Sequence, residues 1–111
     1  MSECVFCRIA ANKQQADIIF EDKDCLAFED TNPQAPVHFL VIPRTHIETL
    51  LDAEPEMLGK LMRKSADLAG QKGIDKSGFR AVINCGRNAG QTVYHLHVHV
   101  MGGRWFAWPP G

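Results

Sequence analysis

The sequence predicts an α+β domain with a five-stranded, mainly antiparallel sheet, one short helix and one long helix. Three observations predict it. Strand-like runs fall into a group of three and a later group of two. One long amphipathic segment separates the groups. The first two runs are joined by a turn signal, as in a hairpin.

The 111 residues, 45% of them hydrophobic, suit one domain spanning residues 1–111 with an ordinary core. Residues 4–11 read as the short helix, with Val5, Phe6 and Ile9 on one side. Residues 18–21 and 25–29 are the first two strands, separated by Asp22-Lys23-Asp24. Asn32-Pro33-Gln34-Ala35-Pro36 is a loop, because each proline lacks an N–H and restricts the residue before it. His38-Phe39-Leu40-Val41-Ile42 is the third strand, stopped by Pro43.

Asp52 can cap the long helix, and Pro55 is tolerated in its first turn, where N–H groups have no partner. Leu58, Leu61, Met62, Ser65, Leu68 and Ala69 share one face, and Gly73 ends the helix. Residues 79–84 form the fourth strand, 85–92 a glycine-containing loop, and 93–101 the fifth strand, ended by Gly102-Gly103. The tail, residues 105–111, is aromatic and proline-rich; Trp105, Phe106 and Trp108 would cover the core or a dimer face.

Composition excludes several classes. A net charge of −1 supplies no global basic field for nucleic acid, so phosphate binding must be local. The apolar stretches are far shorter than a membrane span. Met1-Ser2-Glu3-Cys4 has an acid and no basic flank, so no secretory signal is expected and the cytoplasm is the expected location. Reduced thiols or a metal then suit the four cysteines better than disulfides. Cys25 and Cys85 lie among apolar neighbours and read as small buried hydrophobes.

Three of the five histidines are His95, His97 and His99. On a strand they share one face, while Leu96, Val98 and Val100 point into the core. A solvated polar face explains this clustering poorly. A metal site on these three alone is strained, because strand residues two apart stand roughly 6–7 Å from each other. Nucleophilic catalysis by the middle imidazole, flanked by orienting groups, is the remaining reading. Asn84, Gly86, Gly90, Gln91 and Thr92 lie in the preceding loop. They suit phosphate through close backbone N–H groups, amides and a hydroxyl, though an ordinary loop has similar composition.

His95-Leu96-His97-Val98-His99-Val100-Met101 resembles the His-φ-His-φ-His-φ-φ signature of the histidine triad superfamily, φ being apolar. Other segments resemble its Hint branch in the same order. These are Asp30, Pro33-Gln34-Ala35-Pro36 with the third strand, Asn84, Gly90-Gln91, residues 94–104, and the final Trp108-Pro109-Pro110-Gly111. The resemblance implies a homodimer whose subunits each give a five-stranded antiparallel sheet. It implies hydrolysis of purine nucleoside phosphoramidates, adenosine or guanosine 5′-monophosphate joined to an amine. His97 would be the nucleophile, forming a nucleotidyl-histidine, with His38, His95 and His99 around it. Asp30 would bond the ribose hydroxyls. Asn84, Gly90, Gln91, Thr92 and His99 would bind the nucleotide around its phosphate. Thr92 stands where serine is more usual, and the hydroxyl survives. The sequence departs from its relatives at residues 105–107, which bears on leaving-group preference.

Cys4-x-x-Cys7 has three readings: a redox motif, two unrelated core residues, or half of a zinc site. No strand precedes it, as a thioredoxin-like motif requires. The resemblance to bacterial-type triad proteins implies a structural zinc held by Cys4, Cys7, His46 and His95. Two other functions compete with the phosphoramidase: a dinucleoside polyphosphate hydrolase of the Fhit type and a nucleotide-binding regulatory protein. The Trp-Pro-Pro-Gly ending favours Hint over Fhit, and the complete triad disfavours an inactive binder. A redox or zinc-transfer protein would leave the histidine strand unexplained.

Overall fold

The elements follow the expected order in the computed structural model, which describes residues 4–111. The Met1-Ser2-Glu3 part of the leader reading lies outside the described residues. Helix α1 (Val5–Ala10) is followed by β1 (Ile18–Glu21), β2 (Cys25–Glu29) and β3 (Val37–Pro43). Helix α2 (Pro55–Gln71), β4 (Phe79–Val82) and β5 (Val98–Gly102) complete the domain. The five strands form one sheet in the order β1-β2-β3-β5-β4, and every neighbouring pair is antiparallel.

Helices cover both faces of the central strands, so those strands are apolar on both sides. Cys25, Ala27, Phe39 and Val41 share a core with Leu61, Leu68 and Ala69 of α2. Leu26, Phe28, Leu40 and Ile42, the alternate residues, pack with Phe6 and Ile9 of α1. A two-residue periodicity thus splits β2 and β3 between two cores. Among the described residues, no helix is long and apolar enough to cross a membrane.

Several boundaries differ from expectation. Asp52 does not cap α2, whose N-cap is Glu54 without a side-chain bond. Asp52 instead completes a capping box with Thr49 around the 3₁₀ turn Leu50–Asp52. Met62 is exposed although Leu61, Ser65, Leu68 and Ala69 are buried. Gly73 does follow the helix end, at a φ of 78° that favours glycine. Strand β5 begins at Val98 rather than 93. Before it, the Leu96 N–H donates to the Ile47 carbonyl at 2.6 Å, so the chain is held by the loop after β3. Strand β4 stops at Val82, where the ladder to His99 ends. Cys25 is buried as expected, whereas Cys85 is only half-buried.

Candidate active site

The three histidines sit on the α1 side of the sheet, although only His99 lies within β5. Leu96, Val98 and Val100 enter the α2 core. Phe6 of α1 meets His95 and His97 edge-on, with centroids 5.9 and 5.1 Å away, and His97 lies 5.0 Å from His99. The alternation predicted their common face even where the strand pairing did not extend.

His97 is buried, and its Nδ1 lies 2.7 Å from the His95 carbonyl oxygen. A carbonyl can only accept, so Nδ1 carries the hydrogen and donates it. The neutral ring therefore keeps its lone pair on Nε2. Burial holds the His97 pKa below the ordinary histidine value, against the opposing pull of the His95 bond and Asp30. The unprotonated ring is thus the form present at neutral pH.

His38, His99 and Asp30 form a second group. The Gln34 N–H donates to His38 Nδ1 at 2.9 Å, which leaves the neutral His38 ring its hydrogen on Nε2. That Nε2 lies 3.0 Å from His99 Nδ1 and 3.2 Å from Asp30 Oδ2. Burial lowers the His38 pKa although Asp30 opposes it. Burial, then His97 and His38, bring His99 down to about 4.

A cavity of about 540 Å³ opens beside these rings. Val5, Phe6, Ile9, Phe28 and Leu40 supply apolar wall, while Asp30, Asn84, Gly90, Thr92, His97 and His99 supply polar wall. Three sequence-predicted residues are placed otherwise. Gln91 is buried outside the wall: its Oε1 accepts from the Gly86 N–H, and its Nε2 donates to the Glu48 and Val93 carbonyls. The N–H groups of Gly90 and Gln91 close the same loop onto Arg87 and Gly86. Gln91 thus holds the phosphate-suited loop in shape rather than presenting its amide to the cavity. His95 is fully buried and also absent from the wall; it acts on His97 through its carbonyl, as a positioning residue. His38 likewise reaches the cavity only through His99 and Asp30.

Cys4, Cys7, His46 and His95 meet beneath α1, with one potential ligand atom from each lying within 4.8 Å of the others. Cys4 Sγ is 3.4 Å from His95 Nδ1, and Cys7 Sγ is 3.2 Å from His46 Nδ1 and 3.5 Å from His95 Nδ1. Zinc bonded at about 2.3 Å to sulfur and 2.0–2.1 Å to nitrogen sets tetrahedral S···N edges near 3.6 Å, about the spacing found. His95 Nε2 donates to the Pro43 carbonyl at 2.8 Å, so Nδ1 offers its lone pair toward the sulfurs. The donor set fits a tetrahedral metal ion. Cys4 and Cys7 are not two unrelated core residues, since both meet His46 and His95.

Sequence reasoning missed the apolar cavity wall. Phe6, Phe28 and Leu40 carry the same pattern as core residues, and periodicity cannot tell a wall from a core. A signal did exist in the spacing, because Val5 and Phe6 lie between the two cysteines.

Residues 11–105 match the HIT domain. The chain is 51% identical to an uncharacterised HIT-like protein of Synechococcus elongatus, with all of both chains covered. It superposes on the crystal structure of a HIT family hydrolase from Legionella pneumophila with a TM-score of 0.95 and 44% identity, covering 98% of this chain and 100% of that one. A zinc-bound histidine triad family protein from Mycobacterium smegmatis gives a TM-score of 0.82 at 36% identity, covering 93% of this chain and 76% of that one. With the domain matched over most of its length and the triad on one face of the shared fold, the chain belongs to the HIT domain family.

Proposed function

We propose that this chain is a Hint-type hydrolase of purine nucleoside 5′-phosphoramidates, acting through a nucleotidyl intermediate on His97 Nε2. One observation carries the reading. The His97 Nδ1–H is fixed on the His95 carbonyl, and the ring stands in the wall of a nucleotide-sized cavity with its other nitrogen unprotonated.

The base occupies the apolar wall of Phe6, Phe28 and Leu40, and Asp30 bonds the ribose hydroxyls. Asn84, Thr92 and His99 surround the α-phosphate. The Nε2 lone pair forms a bond to phosphorus as the phosphorus–amine bond breaks; the bonding pair goes to the nitrogen, which takes a proton and departs as the free amine. The ring then carries positive charge, which the His95 carbonyl stabilises through Nδ1–H. Donors around the phosphate oxygens stabilise the charge gathered there. Water next attacks phosphorus and gives up a proton to solvent, the Nε2–phosphorus pair returns to the ring, and nucleoside monophosphate leaves. Cys4, Cys7, His46 and His95 would hold zinc as a structural crosslink with four protein ligands, leaving the chemistry to His97. The open outer edge of β4, with exposed Trp105 and Trp108 nearby, supports a homodimer.

The test compares wild type with His97→Ala on an adenosine phosphoramidate and on a diadenosine polyphosphate. Fast turnover of the first only is expected, falling on the order of 10⁴-fold in the variant with adenosine monophosphate still bound. Preferred cleavage of the polyphosphate would favour the Fhit-type reading, binding without turnover of either the regulatory one. Equal rates for variant and wild type would remove the mechanism.

A further inference from the structure

We propose that the cysteine–histidine metal cluster and the nucleotide cavity are coupled through α1, so that zinc tightens nucleotide binding and nucleotide tightens zinc binding. The proposal rests on the nucleotide reading above and adds a means of controlling that site.

The coupling begins in the sequence. Cys4 and Cys7 bracket Val5 and Phe6, and both bracketed residues line the cavity, as does Ile9 one turn later. The two residues between the sulfur ligands are therefore wall. They cannot hold their place if the ligands move.

The way α1 is held sharpens this. It has six residues, too few to persist as an isolated helix. Its main chain joins no strand ladder. Phe6 and Ile9 pack on Leu26, Phe28, Leu40 and Ile42. At its C-terminal end, Arg44 Nη1 donates to the Ala10 carbonyl at 2.9 Å. At its N-terminal end the tether among the described residues is the cluster, whose other members come from the loop after β3 (His46) and the approach to β5 (His95). A metal there crosslinks three separate parts of the chain. Without it, among the described residues, the end of α1 that carries Val5 and Phe6 is held by side-chain packing.

Phe6 is the physical link. Its ring meets both His95, a ligand, and His97, the cavity histidine, edge-on. Metal at His95 and base against Phe6 favour the same docked arrangement of α1. Two ligands that favour one arrangement must raise each other's affinity by the same factor. If α1 is docked a tenth of the time without metal, nucleotide affinity falls about tenfold.

The experiment titrates adenosine monophosphate into zinc-loaded and zinc-stripped protein by calorimetry. In parallel, a chelator competes for zinc with and without the nucleotide. Stripping should weaken nucleotide binding at least tenfold, and the nucleotide should tighten zinc by an equal factor. Amide exchange over residues 5–10 should accelerate in the stripped protein. Phe6→Ala keeps all four ligands, so it should still bind zinc while the coupling factor falls toward one. Equal nucleotide affinity with and without zinc overturns the coupling and leaves the nucleotide reading standing. A coupling factor unchanged by Phe6→Ala, as global unfolding on zinc loss would give, also overturns it. Absence of nucleotide binding in both states removes the nucleotide reading and the coupling with it.

Discussion

His38 Nε2 points at His99 Nδ1 across 3.0 Å, with the Asp30 carboxylate 3.2 Å from the same nitrogen. The Gln34 N–H fixes that direction from the far side of the His38 ring. His38 thus sets which way His99 turns and which of its nitrogens is left for the cavity. His38→Ala should lower turnover about 100-fold, within the range of lost proton-handling groups, and cost about 1–3 kcal/mol of stability. His38→Gln can place an amide N–H near the lost Nε2 and should recover part of the rate. Steady-state kinetics with urea unfolding would check both; an alanine variant with the wild-type rate would remove His38 from the site.

The low pKa of His99 has a definite sign in stability. Its ordinary value is 6.5 and the fold brings it to about 4. Below pH 6.5 the unfolded chain takes up a proton that the folded chain refuses, so stability falls as pH falls. The loss should run from about pH 6.5 to about pH 4 and reach about 1–2 kcal/mol, because solvent screens the partly exposed ring. Burial of His38 pushes in the same direction. Urea midpoints between pH 7.5 and 4.5 would test this, with His99→Asn flattening the slope. Stability that rose on acidification over this range would contradict it.

Gly102 is forced by packing. A Cβ there would stand 2.7 Å from Cδ1 and 2.9 Å from Cβ of Ile74, which is buried. Gly102→Ala should cost about 1–3 kcal/mol through overpacking. Ile74→Ala removes part of the clash, so the double variant should be more stable than the two separate losses predict. Strict additivity of the unfolding energies would show that the contact is not the cause.

Zinc content is directly measurable. Protein purified under reducing, chelator-free conditions should hold about one zinc per chain. Stripping it should lower the melting midpoint by ~5–15 °C, as expected for loss of a ligand bound only by the folded state. Cys7→Ser should resemble the stripped protein, whereas Cys25→Ser should keep its zinc. A metal-free native protein in elemental analysis would count against the site.

Much of this was legible in the residues because it follows from period and punctuation. The hairpin at Asp22-Lys23-Asp24, the strand ending at Pro43 and the apolar face of α2 needed only local rules. The common face of His95, His97 and His99 followed from alternation. What escaped depended on tertiary partners. Asp52 and Thr49 are both good capping residues, and their bond to each other decided which turn was capped. The start of β5 was set by the bond from Leu96 to Ile47, distant in sequence. Gln91 matched a phosphate-binding pattern, yet its amide found three backbone partners. The ligand set of Cys4, Cys7, His46 and His95 came from family resemblance, because spacing does not indicate which histidines will meet a cysteine pair.

The strand order has a bearing on biogenesis. Strand β5 is the last to be synthesised, yet it inserts between β3 and β4, closing the middle of the sheet rather than extending an edge. A nascent chain that stops short of residue 95 leaves two earlier strands without their shared neighbour. The same late segment delivers His95, His97 and His99. Completion of the architecture and arming of the triad are therefore one event, and a prematurely terminated product would have neither.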